Sequence, residues 1–390
     1  MTIRNHRYTE RSQEITKAFA TLTAMTLSPG TQAETAEEPT PSGRRIIFVA
    51  GSGRSGTSVM TGILERAGYH VPQPTVTADG TNPTGFGEPL WVVELHTRLL
   101  RQSQVWPSDA RPTAWFKCGQ VGQRPTVLAE VVEWLETNFA AADNVVVKDP
   151  RLGWFLPMWE QAAVDVDATP AVISMLRHPA EVVSSKRAAY GEKPGPTSRT
   201  AAWINQMLYI ERATRDMSRL LVSYDQILND WTTIVPALGT RLDQPAIREL
   251  SARQMAAIHE LVDPALRTKL PTWDGLGVTA SVRDLAEESF ASLLDLGDKP
   301  TDAATLARLD DCRRAYTQLY DESEAIAYSS VWARTGARAA SHRPVPEQPA
   351  ATARSDAGAE SPSRIPHRVR ALVPVALRRT VKRSLARRHE

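Results

Sequence analysis

The stretch RRIIFVAGSGRSGTSVMTGILERAG, residues 44–68, constrains the fold more than any other part of the chain. RRIIFVAG is an unbroken apolar run after two arginines, the pattern of a buried strand. TSVMTGILERAG then sets Val59, Met60, Ile63, Leu64 and Ala67 at helical spacing and stops on Gly68. Gly51, Gly53 and Gly56 permit a tight turn between the two. Such a strand–turn–helix step predicts a parallel sheet with right-handed crossovers.

The alternation continues downstream. NVVVKDP (144–150), PAVISMLRHP (170–179) and RLLVSYDQIL (219–228) read as further β segments. PLWVVELHTRLLR, RPTVLAEVVEWLETNFAAAD, GWFLPMWEQAAV, AEVVSSKRAAY and TAAWINQMLYIERATRD read as helices, with Pro89 suited to a first turn and Pro157 either early in its helix or kinking it. Helices continue to about Arg334. The expected class is α/β, a P-loop-like parallel sheet flanked by helices. In such sheets ligands bind beyond the carboxyl ends of the strands, where the loops at 51–57, 148–151 and 177–185 would converge.

Composition sets the boundaries. Residues 1–43 lack a sustained apolar pattern and end in a Gly/Pro/Thr/Glu mixture, so they are expected to be disordered. One domain is expected over 44–335, an Ala/Pro/Ser/Arg linker over 336–363, and a basic tail over 364–390. That tail carries nine Lys/Arg against one Glu, although the whole chain has a formal net charge of only +2. Within it, Val373, Ala376, Leu377, Val381 and Leu385 repeat at helical spacing opposite Arg378, Arg379, Lys382, Arg383 and Arg387. An amphipathic helix of this kind fits an anionic membrane surface. A disordered basic terminus, or one touching RNA, is the alternative, though no nucleic-acid partner is expected. The two cysteines, Cys118 and Cys312, have no metal or redox spacing and read as buried thiols. No secretory signal or membrane-spanning run is seen, so a cytoplasmic protein is expected, peripheral at the inner face of the membrane if the tail binds there.

Gly51, Gly56 and Ser58 match the phosphate-loop spacing G-x-x-x-x-G-K-[ST], but Thr57 stands in the lysine position. The loop's cation is Arg54. Backbone N–H groups, a helix N-terminus and the hydroxyls of Ser55, Thr57 and Ser58 suit an anion, and the arginine fork grips two oxygens. The ordinary structural use is a strand–helix turn with a solvated arginine. LRHPAEVVSSK (176–186) supplies a second pairing, Arg177 at a strand end and Ser185 two helical turns on, which can meet on one phosphate.

Together the two stretches resemble the sulfotransferase superfamily. GSGRSGTS is similar to its 5′-phosphosulfate loop in the bacterial and tyrosylprotein R-S-G-T variant, and LRHPAEVVSS to its 3′-phosphate motif. NPTGFGE (82–88), VKDPRL (147–152) and YDQIL (224–228) resemble segments of the bacterial branch. The resemblance spans about residues 44–270 and lacks the late R-K-G-x-x-G-x-W-K motif of cytosolic members. It implies 3′-phosphoadenosine 5′-phosphosulfate (PAPS) as donor. It assigns Arg54, Ser55, Gly56, Thr57 and Ser58 to the 5′-phosphosulfate, and Arg177 and Ser185 to the 3′-phosphate.

A sulfuryl group carries less charge than a γ-phosphoryl group, so transfer without a metal ion is expected, with Arg54 and backbone donors stabilising the leaving oxygen. A hydroxyl acceptor, on a glycan, a glycolipid or another lipid-linked molecule, needs a general base. Glu88 is the first candidate, against a simple helix-start carboxylate. His96 and Asp149 follow, against a packed histidine and an ion-pair member with Lys148 and Arg151. Lys148 could itself reach the sulfuryl group. Trp91, Trp106, Trp115 and Trp154 would line an acceptor groove or pack in the core. Two other readings stay open. One is a P-loop kinase or NTPase using Mg-ATP, with VVVKD at 145–149 as its magnesium-holding strand end; the other is a non-catalytic nucleotide-binding membrane protein.

Overall fold

The computed structural model describes residues 43–79, 85–262 and 272–341. The chain divides into two units, Met1–Ala327 and Tyr328–Glu390. In chain order the elements are β1 (Arg45–Gly51), α1 (Thr57–Arg66), α2 (Leu90–Ser103), α3 (Ala114–Gly122), α4 (Pro125–Phe139), β2 (Asn144–Lys148), a 3-10 turn (Leu152–Trp154) and α5 (Leu156–Asp165). There follow β3 (Thr169–Leu176), α6 (Pro179–Tyr190), α7 (Pro196–Ala213), β4 (Arg219–Ser223), α8 (Tyr224–Arg241), α9 (Pro245–Arg248), α10 (Ala252–Leu261), α11 (Ala280–Asp298) and α12 (Ala303–Ser341). Of the second unit the described part is the end of α12. This helix runs past the boundary at 335 that composition suggested. The 1–42 segment, Gly80 to Thr84 of the Gly/Asn/Pro-rich loop, and the basic tail lie outside the described residues.

The fold class expected from the sequence is the one found. The sheet is fully parallel in the order β2-β1-β3-β4. Burial on both faces explains why β1 reads as an unbroken apolar run. Ile46, Phe48 and Ala50 face one core with Trp159, Trp203 and Met207. Ile47 and Val49 face the other, with Met60, Ile63 and Leu64 of α1 and residues of α8 and α10. Neighbours of β1 leave to opposite sides, so the crevice at its carboxyl end is a topological switch point. Register fixes what meets there: Val49 lies opposite Lys148 and Ile173, and Gly51 opposite Met175.

One β expectation was too long. RLLVSYDQIL is a strand only to Ser223, where a capping box starts α8: Gln226 N–H donates to Ser223 Oγ, and Ser223 N–H donates to Gln226 Oε1. The S-x-x-Q spacing is a known start signal and outweighs the apolar β-prone residues around it. Helix α3 was not anticipated, since AWFKCGQVG carries two glycines that lower helix propensity. Pro157 sits in the first turn of α5, as expected. Both cysteines are buried and unpaired, and burial pushes the Cys118 thiol up to about 12. Among the described residues, no helix is long and apolar enough to cross a membrane.

Candidate active site

The turn after β1 is shaped by glycine where no other residue fits. Gly51 has φ 142°, and a Cβ there would stand 2.7 Å from the Met175 carbonyl oxygen. Gly56 has φ 90° and caps α1, and a Cβ there would strike the Tyr224 ring. Arg54 adopts φ 76°, a conformation uncommon for a side-chain-bearing residue and one that stores strain at functional turns. Ser55 turns inward: its N–H and its hydroxyl both bond the Ser52 carbonyl, and it is fully buried. Thr57 is buried as the first residue of α1, whose opening N–H groups have no partner within the helix. Ser58 accepts from Lys148 Nζ at 3.2 Å.

The second motif closes on this turn. Arg177 directly follows β3 and donates from one terminal nitrogen to the Arg54 carbonyl at 3.1 Å. Its Nε donates to Glu181 Oε2 at 2.7 Å, and its guanidinium lies 4.9 Å from the centre of the Tyr224 ring. Arg54 Nε in turn donates to Ser185 Oγ at 3.0 Å. The residues that sequence assigned to two separate phosphate contacts thus form one cluster, beside the carboxyl ends of β1 and β3. Glu181 Oε1 is buried with no hydrogen-bond partner, an acceptor held next to that cluster.

Glu88 stands on the other side of the turn. Its Oε1 accepts from Lys148 Nζ at 2.6 Å, with both side chains nearly buried. The ammonium also donates to the Phe86 carbonyl at 2.9 Å, so Lys148 ties Glu88 to Ser58 at the start of α1. Burial holds Lys148 below the ordinary lysine range, and Glu88 only partly offsets this. Lys148 ends β2, so it reaches the turn by the register that pairs it with Val49.

The two other base candidates are enclosed in the core. His96 is fully buried, accepts from Trp159 Nε1 at 2.8 Å and stacks on Phe155. With Nε2 accepting, the proton sits on Nδ1, which lies 3.5 Å from Asp149 Oδ1. Asp149 is equally buried and accepts from the Arg151 backbone N–H and guanidinium. Burial pushes the Asp149 carboxyl up, but His96 and Arg151 outweigh it and hold it below its ordinary range. The tryptophans do not form one groove. Trp154 is buried and bonds the Pro107 carbonyl, Trp91 stacks on Trp134, Trp115 packs against Tyr209, and Trp106 is exposed.

Sequence reasoning assigned no role to Tyr224, Glu181, Ser52 or Lys186. Tyr224 is the wall against which the turn and Arg177 both rest. Lys186 Nζ donates to Ser52 Oγ at 3.0 Å and to Ser108 Oγ at 3.3 Å, inside the molecule. Its signal was present: Pro179, Val182, Val183 and Lys186 follow the buried-face spacing of α6, so a lysine stood where an apolar residue belongs.

No protein-family model matches the chain, and no curated protein matches it. Among solved structures, it is similar to the sulfotransferase domain from the Synechococcus PCC 7002 olefin synthase. The identity is 18%, over 66% of this chain and 98% of that chain, with a TM-score of 0.37.

Proposed function

We propose that the chain is a sulfotransferase moving a sulfuryl group from PAPS to a hydroxyl acceptor. One observation carries the reading: Arg54 of the phosphate turn bonds Ser185 at 3.0 Å while its carbonyl holds Arg177 at 3.1 Å. Two guanidinium groups, a hydroxyl and the start of α1 therefore gather where a bisphosphorylated nucleotide would need them. The glycine-only positions keep the turn's backbone close, which suits an anion held by N–H groups. These residues fit PAPS: the turn 54–58 would hold the 5′-phosphosulfate, and Arg177 with Ser185 the 3′-phosphate. Bound there, PAPS supplies the sulfuryl group.

The side chains divide the remaining work. Arg54 balances charge on the leaving oxygen. Glu88 takes the proton of the acceptor hydroxyl, with Oε1 fixed by Lys148 and Oε2 left for that proton. Lys148 orients Glu88 by bridging it to Ser58 at the start of α1. The kinase reading draws less support, because the Asp149 carboxylate at the end of β2 is buried against Arg151 and His96. The acceptor class follows the same reading: a glycan or lipid-linked hydroxyl, met at an anionic membrane surface through residues 364–390. Co-sedimentation of the full chain with phosphatidylserine vesicles, lost on reversing Arg378 and Arg379 to Glu, tests that contact.

Calorimetric titration tests the donor. The expected result is metal-independent binding of 3′-phosphoadenosine 5′-phosphate, at least tenfold weaker in Arg177→Ala. Preference for Mg-ATP, or indifference to Arg177, would overturn it. Glu88→Ala separates enzyme from binding protein: turnover should vanish while nucleotide affinity stays.

A further inference from the structure

Lys186 is a buried cation without a counter-charge. Its ammonium contacts two serine hydroxyls, Ser52 on the phosphate turn and Ser108 in the loop after α2, and it pairs with no carboxylate among the described residues. Its Cε lies 4.0 Å from the position a Cβ of Gly53 would take, so the side chain runs directly beside the turn. Ser108 is half-exposed, which places the ammonium between a buried hydroxyl and one that solvent reaches. Arg199 of α7 adds a like charge nearby. A buried charge persists at a cost unless a partner neutralises it. Here the partner that geometry admits is an anion seated on the turn.

We propose that Lys186 is a further anion-binding residue of this site, delivered from α6 to the Ser52–Gly53 side of a turn whose own lysine position holds Thr57. It binds a phosphate or sulfuryl oxygen of the donor, exchanging a serine hydroxyl for a full counter-charge. Burial holds the free ammonium down at about 8, so ligand binding should draw a proton onto it above that pH. The proposal rests on the PAPS reading, and its test is arranged to fail separately.

The experiment is calorimetric titration with 3′-phosphoadenosine 5′-phosphate and with inorganic pyrophosphate, at pH 7 and pH 9. Wild type is compared with Lys186→Gln, Lys186→Arg and Arg177→Ala. The expected result is at least tenfold weaker binding of both probes to Lys186→Gln at pH 7, with partial recovery in Lys186→Arg. Wild-type affinity should fall between pH 7 and 9, and that fall should be absent in Lys186→Gln. Lys186→Gln binding like wild type, while Arg177→Ala does not, overturns the role of Lys186 and leaves the donor reading standing. Absence of binding to wild type overturns both. If the variants fail to fold, wild type alone decides: titration at pH 8.5 in buffers of different ionisation enthalpy must show proton uptake, and none overturns the proposal.

Discussion

Arg54 donates to Ser185 across 131 residues of chain, at 3.0 Å. This single bond joins the turn after β1 to the middle of α6 and defines the site more narrowly than either motif does. A double-mutant cycle should show it. Arg54→Ala and Ser185→Ala are each expected to weaken bisphosphate binding about tenfold or more, and the double variant by less than the product. Calorimetric affinities for the four proteins provide the check; strict additivity would mean that the two side chains act on separate groups.

Gly56 is one of two positions of the turn, with Gly51, where a Cβ meets both an unfavourable φ and a close neighbour. Gly56→Ala meets both a left-handed backbone and the Tyr224 ring. A loss of roughly 1–3 kcal/mol is expected from the backbone alone. Thermal unfolding should show it. Measured in a Tyr224→Ala background, the cost of Gly56→Ala should shrink only by the part due to the clash, since φ stays unfavourable.

Lys148 and Glu88 should be separable by chemistry. Glu88→Gln is expected to lower turnover about 10²–10⁴-fold with little change in bisphosphate affinity. Lys148→Met leaves a nearly buried carboxylate unpaired and should cost about 3–5 kcal/mol of stability. The pair Lys148→Met/Glu88→Gln should regain most of that stability and none of the turnover. Urea unfolding beside single-turnover assays distinguishes these; unchanged turnover in Glu88→Gln would remove it as the base.

Stability of the unliganded protein should carry the mark of Lys186. Its folded value lies near 8, below the ordinary lysine value of 10.5, so between those limits the unfolded chain binds more protons. Stability contributed through this residue therefore rises with pH from about 8 to 10.5. Cys118 acts in the opposite sense above pH 9, because its thiol is held protonated when folded. The difference between wild type and Lys186→Met isolates the lysine: Lys186→Met should be the more stable near pH 7, and the gap should narrow by pH 9.5. A gap independent of pH in urea melts would contradict this.

His96 offers a contrast. His96→Leu orphans Trp159 Nε1 in the core and should cost about 1–3 kcal/mol. The pH dependence of turnover should not change, because the imidazole has no path to an acceptor. A lost limb in the pH–rate profile would return His96 to the chemistry.

The parts legible in the sequence are those encoded over short distances. Strand, turn and helix at 44–68 follow from apolar runs and glycine positions. Arg177 and Ser185 follow from an eight-residue spacing that runs from the end of β3 into α6. What was missed lies across the sheet. Nothing near Glu88 announces Lys148, which lies 60 residues on, and register alone brings the two together. The Asp149–Arg151 pair was among the sequence alternatives, since the two lie two residues apart, whereas Trp159 lies 63 residues from His96 and only packing brings it there. Ser223 and Lys186 were missed for another reason. Their local signals, a capping box and a lysine on a buried face, were there to be read beneath stronger apolar patterns.

The central place of β1, with β2 and β3 on either side, has a consequence for how this site comes into being. Its bonds span 60, 90, 123, 131 and 134 residues, so no fragment that stops before residue 186 contains them all. Long-range pairing of this kind is slow and arrives late in folding. During synthesis the emerging chain would hold the turn for a long interval before Arg177, Ser185 and Lys186 leave the ribosome. Under the proposed function, nucleotide capture would be an all-or-none readout of the assembled sheet, and the nucleotide in turn a ligand for the folded state alone.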